Sequence, residues 1–231
     1  MKQKILVTGG CGYIGSHTVV ELIENNFEVL IIDDLSNSNK GTISNIQKIT
    51  GVKPTFYSCD LKDIHAVQNI LKDNKDIEAT IHFAAYKAVG ESVAKPLLYY
   101  QNNLVSLINI LITQLKSGTT NFIFSSSATV YGNPKTLPIT EDNKTQRPFS
   151  PYGNTKKIAE EILEDLSKAN KDCNITSLRY FNPIGAHKSG LIGELPNGIP
   201  NNLMPYITQT AVGLRDKLSV YGNDYPTPDG T

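Results

Sequence analysis

Tyr152 and Lys156 are the two residues of this chain best suited, by type and spacing, to move a proton. They stand four positions apart in the stretch YGNTK at residues 152–156, and on a helix this spacing places both side chains on one face. A lysine ammonium close to a phenol favours the phenolate, so it would lower the tyrosine pKa from about 10 towards working pH. The pair therefore predicts a general base, Tyr152, supported by Lys156.

A second tyrosine and lysine share this spacing and serve as a comparison within the chain. Tyr131 and Lys135 enclose Gly132 and Pro134, two residue types that disfavour the interior of a helix. We therefore expect no common helical face and no proton transfer at this pair.

Ser127 ends a run of three serines at residues 125–127 that follows the apolar residues 122–124. This places it at the carboxyl end of a predicted strand, where a hydroxyl can both donate to and accept from a sugar oxygen. It would also shorten the proton path to the tyrosine. The alternative is that the serines only cap the strand.

Gly9, Gly12 and Gly15 lie between an apolar run at residues 5–8 and a helical pattern that begins near Ser16. Glycines in a strand, turn and helix arrangement of this kind are typical of dinucleotide binding. Gly9 would allow a sharp turn, Gly12 would let backbone N–H groups approach a pyrophosphate, and Gly15 would let the helix lie close on the strand. A purely structural turn is the alternative.

Asp33 favours the dinucleotide interpretation. It closes the next apolar run, residues 29–32, at the distance along the chain where a carboxylate accepts hydrogen bonds from the adenosine ribose. No arginine stands beside it, and its negative charge would repel a 2′-phosphate. We therefore expect NAD rather than NADP.

The chain up to Phe181 alternates apolar runs with amphipathic helical patterns, which predicts a parallel sheet covered on both faces. The fold class is thus a doubly wound α/β sheet of the Rossmann type, and the polar stretch 36–45 is predicted to be a loop over the adenosine end. The strands are predicted near residues 5–8, 29–33, 55–59, 79–85, 122–126 and 175–180.

After Phe181, prolines and glycines interrupt the pattern. Only residues 203–213 are typical of a helix, and only residues 218–221 of a strand. We expect an NAD-binding domain over residues 1–181 and part of a smaller, incomplete substrate-binding domain over residues 182–231. The last predicted strand has no partner after it, which suggests that the chain stops early.

Composition excludes several classes of function. The 231 residues carry 22 Lys and Arg against 22 Asp and Glu, so nucleic acid and anionic membranes are not expected as partners. No apolar stretch reaches transmembrane length and no signal peptide is visible, which predicts the cytoplasm. The widely spaced Cys11, Cys59 and Cys173 predict neither a disulfide framework nor a metal site. His82 lies in an apolar strand and is expected to be a core histidine.

The glycine-rich turn at residues 8–15, the serines at 125–127 and the YGNTK stretch, in this order, resemble the extended short-chain dehydrogenase/reductase family. The strings GYIGSHT, HFAAYKAVGESV, SSSATVYG and RYFNPIGAH narrow the resemblance to the nucleotide-sugar epimerases of that family, and the similarity covers the whole chain. The resemblance implies an isomerase of galactose metabolism that interconverts UDP-glucose and UDP-galactose. It implies retained NAD, a 4-keto intermediate and a homodimer.

The resemblance also implies which residues contact the cofactor, with the glycine turn at the pyrophosphate, Asp33 at the ribose and Asp60 with Leu61 at the adenine. Asp60 could instead cap the following helix, Lys87 could be a solvated lysine, and Asn102 could be a polar position on its helix. The full implied set is Gly9, Gly12, Tyr13, Ile14, Gly15, Asp33, Asp34, Asn37, Ser38, Asp60, Leu61, Phe83, Ala84, Ala85, Lys87, Asn102, Ser127, Tyr152, Lys156 and Phe181.

For the UDP-sugar, the family pattern falls on a second set of residues. Taken alone, the asparagines among them would be interpreted as turn formers. Family members continue beyond this length with an arginine-containing segment that grips the diphosphate, so the NAD site is expected to be complete and the sugar site half built. The implied substrate-binding residues are Ser127, Tyr152, Asn182, Asn202, Leu203 and Tyr221.

Three other functions stay open at this point. A 4,6-dehydratase or decarboxylase on the same scaffold is one, although dehydratases place an acidic pair where this chain has Ala128 and Thr129. A reductase that releases its cofactor is another. A non-catalytic NAD-binding protein is the third, and the joint presence of Ser127, Tyr152 and Lys156 argues against it.

Overall fold

Six short, mostly apolar segments form one parallel sheet in the computed structural model, which describes residues 2–196, 198, 200, 202–220 and 222–230. The strands lie in the order β3-β2-β1-β4-β5-β6, and every pairing is parallel. This order is that of a doubly wound dinucleotide-binding sheet, so the predicted fold class is confirmed. The strands are β1 (Lys4–Thr8), β2 (Glu28–Asp33), β3 (Thr55–Ser58), β4 (Ile77–His82), β5 (Asn121–Ser125) and β6 (Asn174–Leu178).

Helices connect the strands and cover both faces of the sheet. Two neighbouring residues of β1 illustrate this, because Leu6 and Val7 point to opposite faces and each is fully buried in a different apolar cluster. The helices are α1 (Tyr13–Glu24), α2 (Gly41–Thr50), α3 (Ile64–Asp73), α4 (Val89–Ala94), α5 (Pro96–Lys116), α6 (Pro151–Ala169) and α7 (Leu203–Ala211), with a short 3-10 turn at Ala128–Tyr131.

The loop predicted over residues 36–45 is wrong in its second half, because α2 begins at Gly41. Parallel neighbours such as β2 and β3 need a crossover that covers the sheet, and a helix is the usual one. Ile43 and Ile46 provide its apolar side and are both buried. Their spacing is helical, but the polar residues around them obscured the pattern.

Other element ends also differ from expectation. β4 ends at His82 rather than at residue 85, and residues 218–220 form no strand. The chain packs as two compact units, residues 1–193 and 194–231. The domain boundary after Phe181 stays a prediction.

Within the part of the chain that the structure describes, no helix is both long and apolar enough to cross a bilayer.

His82 lies in the core of the sheet, as expected. Its side chain is 2% exposed, and its Nδ1 lies 2.8 Å from Thr8 Oγ1. The rings of Phe122 and Phe124 stack against it at centroid distances of 5.8 and 6.2 Å. Burial, and to a smaller extent the nearby Lys156 ammonium, lowers the pKa of His82 to about 3.

This shift predicts that His82 makes the fold sensitive to acid. Between pH 6.5 and 3 the unfolded chain binds a proton at this histidine that the folded chain does not, so stability falls as pH falls. At pH 5 the loss amounts to about 2 kcal/mol, from about 1.5 pH units at about 1.4 kcal/mol each. His82→Gln removes it, so the stability difference between wild type and variant should shrink by that amount between pH 7.5 and pH 5.

Urea unfolding of both proteins at the two pH values measures this difference. An equal difference at pH 7.5 and pH 5 would show that His82 does not titrate in the way its burial requires.

Candidate active site

The glycine-rich turn between β1 and α1 leaves no space for side chains at two of its positions. Gly9 has a φ of +69°, and a Cβ there would lie 2.8 Å from the backbone nitrogen of Ala84. At Gly15 a Cβ would lie 2.2 Å from the carbonyl oxygen of Gly9. Glycine at both positions therefore lets α1 start directly against the end of β1.

The start of α1 is suited to an anion. Gly12 is the N-cap residue and has no side chain to cap the helix, and the first turn contains no acidic residue. Tyr13 and Ile14, the first two residues of α1, are half-buried. Backbone N–H groups at such a helix start carry partial positive charge and bind phosphate groups. The turn therefore fits the pyrophosphate of a dinucleotide.

The Asp33 carboxylate, at the end of β2, is held in place partly by the glycine-rich turn. Its Oδ2 accepts a hydrogen bond of 2.9 Å from the backbone N–H of Cys11. Its Oδ1 accepts from the N–H of Leu35 at 2.9 Å and from the hydroxyl of Ser38 at 2.8 Å. The carboxylate is 7% exposed, so its position is fixed relative to the glycine turn. Ser38 thus acts as a support for Asp33.

Asp34 and Asn37 lie in the exposed bend that follows β2. Asp34 accepts hydrogen bonds from the N–H and the hydroxyl of Ser36. Both residues lie near Asp33 along the chain and are exposed.

Asp60 and Leu61 follow β3, and their loop is tied to α5. Lys62 Nζ lies 3.1 Å from Asp60 Oδ2 and donates to Asn102 Oδ1 at 2.9 Å. The alternative that Asp60 caps α3 is wrong, because Asp63 is the residue whose carboxylate accepts from the first N–H groups of that helix. Asn102 is a polar position of α5 and is buried there, at 7% exposure.

The segment after β4 runs beside the end of β1. Phe83 N–H donates to Thr8 O at 3.0 Å, and Ala84 N–H donates to Thr8 Oγ1 at 3.4 Å. This brings residues 83–85 against Gly9, the position where a Cβ would meet Ala84. Lys87 follows with an exposed side chain.

Lys156 lies inside the site and is 4% exposed. Its ammonium donates to the carbonyl oxygen of Ser125 at 2.7 Å and lies 4.9 Å from the centroid of the Phe124 ring. Burial lowers the pKa of Lys156 to about 8. The residue therefore pins α6 to the end of β5.

Tyr152 is in the first turn of α6, on the same helix as Lys156. Burial raises the pKa of its phenol, and a hydrogen bond with the Ser127 hydroxyl opposes that rise. We expected Lys156 to lower this pKa. In the structure the Lys156 ammonium donates to the Ser125 carbonyl, and the interaction that lowers the pKa of Tyr152 comes from Ser127.

The three serines after β5 have three different contacts. Ser125 offers its carbonyl to Lys156, and the Ser126 hydroxyl donates to Glu160. Ser127 accepts from the N–H of Thr129 at 3.2 Å and from its hydroxyl at 2.9 Å. Ser127 thus caps the 3-10 turn that follows β5, and not only the strand, and it keeps its own proton to donate to the phenol or to a substrate.

Tyr131 and Lys135 share no helix, as predicted. Tyr131 ends the 3-10 turn, and no helix includes Lys135. The Tyr131 hydroxyl accepts from Arg179 at 3.0 Å, and the guanidinium lies 4.9 Å from its ring centroid. Arg179 also forms a two-bond ion pair with Glu160.

The residues expected at the UDP-sugar are less constrained. Phe181 and Asn182 are exposed just after β6. In the second compact unit, Asn202 precedes α7 and donates to Glu194, and Leu203 begins that helix with 65% of its surface exposed. Tyr221 lies outside the described residues. The residues expected at the cofactor all lie in the first compact unit, together with Ser127, Tyr152 and Lys156.

Sequence reasoning missed Asn103 and Thr155, which bond to each other in the core of the first unit. A signal was present, because Asn103 falls on the face of α5 that also holds Leu107 and Leu111. A polar residue on a buried helix face usually makes hydrogen bonds there.

Within the residues that the structure describes, no group of three or more His, Cys, Asp or Glu side chains could hold a metal ion.

Comparison with known sequences finds one family and close relatives. A family model described as GDP-mannose 4,6 dehydratase matches residues 6–231. The UDP-glucose 4-epimerase of Bacillus subtilis (strain 168) is 56% identical over 227 residues, which cover 98% of this chain and 66% of that protein. The chain therefore spans about two thirds of the length of this relative.

Comparison with solved structures also finds UDP-glucose 4-epimerases. A UDP-glucose 4-epimerase from Bifidobacterium longum in complex with NAD⁺ and UDP matches with a TM-score of 0.96 and 47% identity, over 99% of this chain and 68% of that one. The enzyme from Stenotrophomonas maltophila with bound NAD and formylated UDP-arabinopyranose matches with a TM-score of 0.94 and 47% identity, over the same shares of the two chains.

The contact at Gly15 predicts that even one methyl group disrupts the turn. Gly15→Ala should lower the free energy of unfolding by about 2 kcal/mol, as for overpacked sites, and should weaken NAD binding. Gly90→Ala is the matched control, since Gly90 lies in helix α4, is exposed, and a Cβ there would meet nothing within 4 Å.

Thermal unfolding and NAD titration of both variants measure these effects. We expect Gly90→Ala to keep wild-type NAD affinity and stability, or to gain slightly in stability. Equal behaviour of the two variants would contradict the assigned packing of α1.

Proposed function

The chain belongs to the UDP-glucose 4-epimerase family, and on that premise we propose that it interconverts UDP-glucose and UDP-galactose with a retained NAD. The observation that carries the proposal is the meeting of Ser127, Tyr152 and Lys156 at the carboxyl end of β5, in the compact unit that also holds the glycine turn and Asp33. The NAD and UDP ligands of the related crystal structures support the choice of cofactor and substrate.

The residues of the first unit fit NAD. The backbone at Gly12 and the first turn of α1 would hold the pyrophosphate, and the fixed carboxylate of Asp33 would accept from the adenosine ribose. Asp60 and Leu61 would border the adenine, while residues 83–85, Lys87, Asn102 and Phe181 would line the rest. When bound, NAD supplies a reversible hydride acceptor for carbon 4 of the sugar.

Tyr152 is proposed as the base that takes the proton of the sugar 4-hydroxyl while that carbon is oxidised. Ser127 would donate to the phenol oxygen or to the sugar oxygen, because its own acceptor capacity is engaged by Thr129. Lys156 would hold the nicotinamide ribose while its ammonium keeps α6 at the Ser125 carbonyl. Once the 4-keto sugar has turned over and hydride has been returned to the opposite face of carbon 4, Tyr152 would give the proton back to the 4-oxygen. The alcohol is then restored with that one stereocentre inverted.

Inversion requires tight binding of UDP and weak binding of the sugar, so that the 4-keto sugar can turn and present either face. We assign the UDP-sugar contacts to Asn182, Asn202, Leu203 and Tyr221, together with Ser127 and Tyr152. Support for this assignment is the family relationship, because these residues stand at the positions of the family pattern.

The family model carries the name of a dehydratase, but the site favours epimerisation. Elimination of water needs an acid and a base beyond the tyrosine. At the two positions after Ser127 this chain has Ala128 and Thr129, and the Thr129 hydroxyl is engaged with Ser127. Retention of the cofactor separates the epimerase from a reductase that releases it.

We further propose that the protein acts in the cytoplasm, which the three free thiols of Cys11, Cys59 and Cys173 support.

A homodimer is proposed through α5. The leucines of this helix do not provide the contact, since Leu107 and Leu111 are buried in the core of the chain. A different stripe is exposed on the same helix, formed by Val105, Ile108 and Ile112 at 36 to 39% of their surface. An apolar stripe at helical spacing is suited to pack against the same stripe of a second copy.

The activity itself is the first test. The full-length protein should convert UDP-galactose to UDP-glucose without an added electron acceptor and should carry bound NAD. Tyr152→Phe should lower kcat by a factor of about 10² or more, the usual contribution of a general base, and should keep its NAD. Turnover by NMR of the two sugars and NAD release on denaturation provide the readouts.

Tyr131→Phe is the control, because among the described residues this hydroxyl accepts its hydrogen bond from Arg179, outside the proposed proton path. We expect it to retain wild-type turnover. Stoichiometric NADH in place of epimerisation, or equal losses in both variants, would defeat the proposed function.

The dimer proposal predicts that a charge on the exposed stripe separates the subunits. Ile108→Lys should raise the dimer dissociation constant at least tenfold in sedimentation velocity. Val52→Lys, a change at a 47% exposed valine just after α2, should leave it unchanged. A wild-type protein that stays monomeric at tens of micromolar would refute the dimer.

A further inference from the structure

The side chain of Asn103 binds two different parts of the site at once. Its Oδ1 accepts from the backbone N–H of Tyr86 at 2.8 Å, and its Nδ2 donates to the carbonyl of the same residue at 3.0 Å. The same Nδ2 donates to Thr155 Oγ1 at 3.0 Å. Asn103 is 6% exposed, so these bonds form away from solvent.

Thr155 continues this connection to Tyr152. Its hydroxyl donates to the carbonyl oxygen of Tyr152 at 2.7 Å, and the residue is fully buried. A chain of hydrogen bonds thus runs from the backbone of Tyr86, through Asn103 and Thr155, to the backbone of Tyr152. It joins α5, the segment after β4 and the first turn of α6.

We propose that Asn103 and Thr155 are positioning residues, forming a brace that sets the distance between Tyr152 and the cofactor-lining segment 83–87. This inference rests on the proposed function, in which that segment borders NAD and Tyr152 takes the proton. Neither residue touches the reacting atoms in this assignment. They act by holding two backbones in register.

The effect of such a brace on rate follows from the reaction. Hydride and proton leave the same carbon and its oxygen, so the hydride acceptor and the phenol must both be within reach of one sugar position. A misplacement of about 1 Å can cost about 10²-fold in rate. Lys156 fixes α6 one turn further along, at Ser125, so the brace provides a second fixed point at the start of the helix.

Thr155→Val tests the brace with little change of shape, since a methyl group replaces the hydroxyl. Thr113→Val is the matched control. Thr113 is also a buried helical threonine, 3% exposed, and its hydroxyl donates to the backbone carbonyl of Asn109 in its own helix at 2.8 Å. The control loses a comparable hydrogen bond at a position outside the site.

For Thr155→Val we expect kcat to fall about tenfold, with the KM for UDP-galactose and the bound NAD near wild type. The acid limb of the kcat profile should move to higher pH, because Tyr152 shifts away from the Ser127 hydroxyl that opposes the rise in its pKa. Amide hydrogens of residues 152–156 should exchange faster. Thr155→Ser should restore all three, and Thr113→Val should show the stability loss alone.

Asn103→Asp is a second variant. A carboxylate can still accept from the Tyr86 N–H but cannot donate to its carbonyl, and it would draw the Thr155 hydroxyl away from Tyr152. The same fall in kcat and the same shift of the acid limb are expected.

The brace is overturned if Thr155→Val matches Thr113→Val in kcat, in pH profile and in exchange at residues 152–156. That outcome, with an active wild type, leaves the proposed function intact. A wild type without epimerase activity defeats the proposed function. The brace is then decided by two other measurements on Thr155→Val, which are amide hydrogen exchange at residues 152–156 and the amount of bound NAD.

Discussion

The hydrogen bond from the Lys156 ammonium to the Ser125 carbonyl is the contact on which the site depends. Ala159 and Leu163 bury one side of α6 in the core, but apolar packing alone does not fix how far a helix slides or turns. A buried ammonium must find an acceptor because an unpaired charge in the interior is costly. The carbonyl at the end of β5 is that acceptor, and it aligns α6 with the strand that carries Ser127.

On helix α5, neutral side chains and not a charge fix the position of neighbouring segments. Its buried face includes Asn102, Asn103 and Asn109 among aliphatic residues, and each asparagine bonds to a loop that follows a strand or to a neighbour in that network. Loops after strands have backbone groups that no sheet satisfies, and a buried amide offers a donor and an acceptor together. Bonds of this kind fix loop position at the carboxyl edge of the sheet, where apolar contacts are too few to do so.

The sequence allowed much of this arrangement to be predicted, for reasons that also explain the misses. The sheet and the turn at Gly9, Gly12 and Gly15 follow from local patterns, because strands buried on both faces are continuous apolar runs. Helix α2 and the buried role of Asn103 depend on which side of a helix faces the sheet, and a polar residue in a mixed segment does not reveal that. The direction of the Lys156 ammonium depends on three separate segments and is visible only in coordinates.

Position 129 shows how one side chain can select the chemistry of such a site. The Thr129 hydroxyl donates to Ser127, which leaves the Ser127 proton for Tyr152 or for a sugar oxygen. An ionised carboxylate at the same position can only accept, so Ser127 would have to donate to it and would lose that proton for the phenol. In the proposed function, the threonine therefore leaves the Ser127 proton available for the proton transfer at the sugar 4-oxygen.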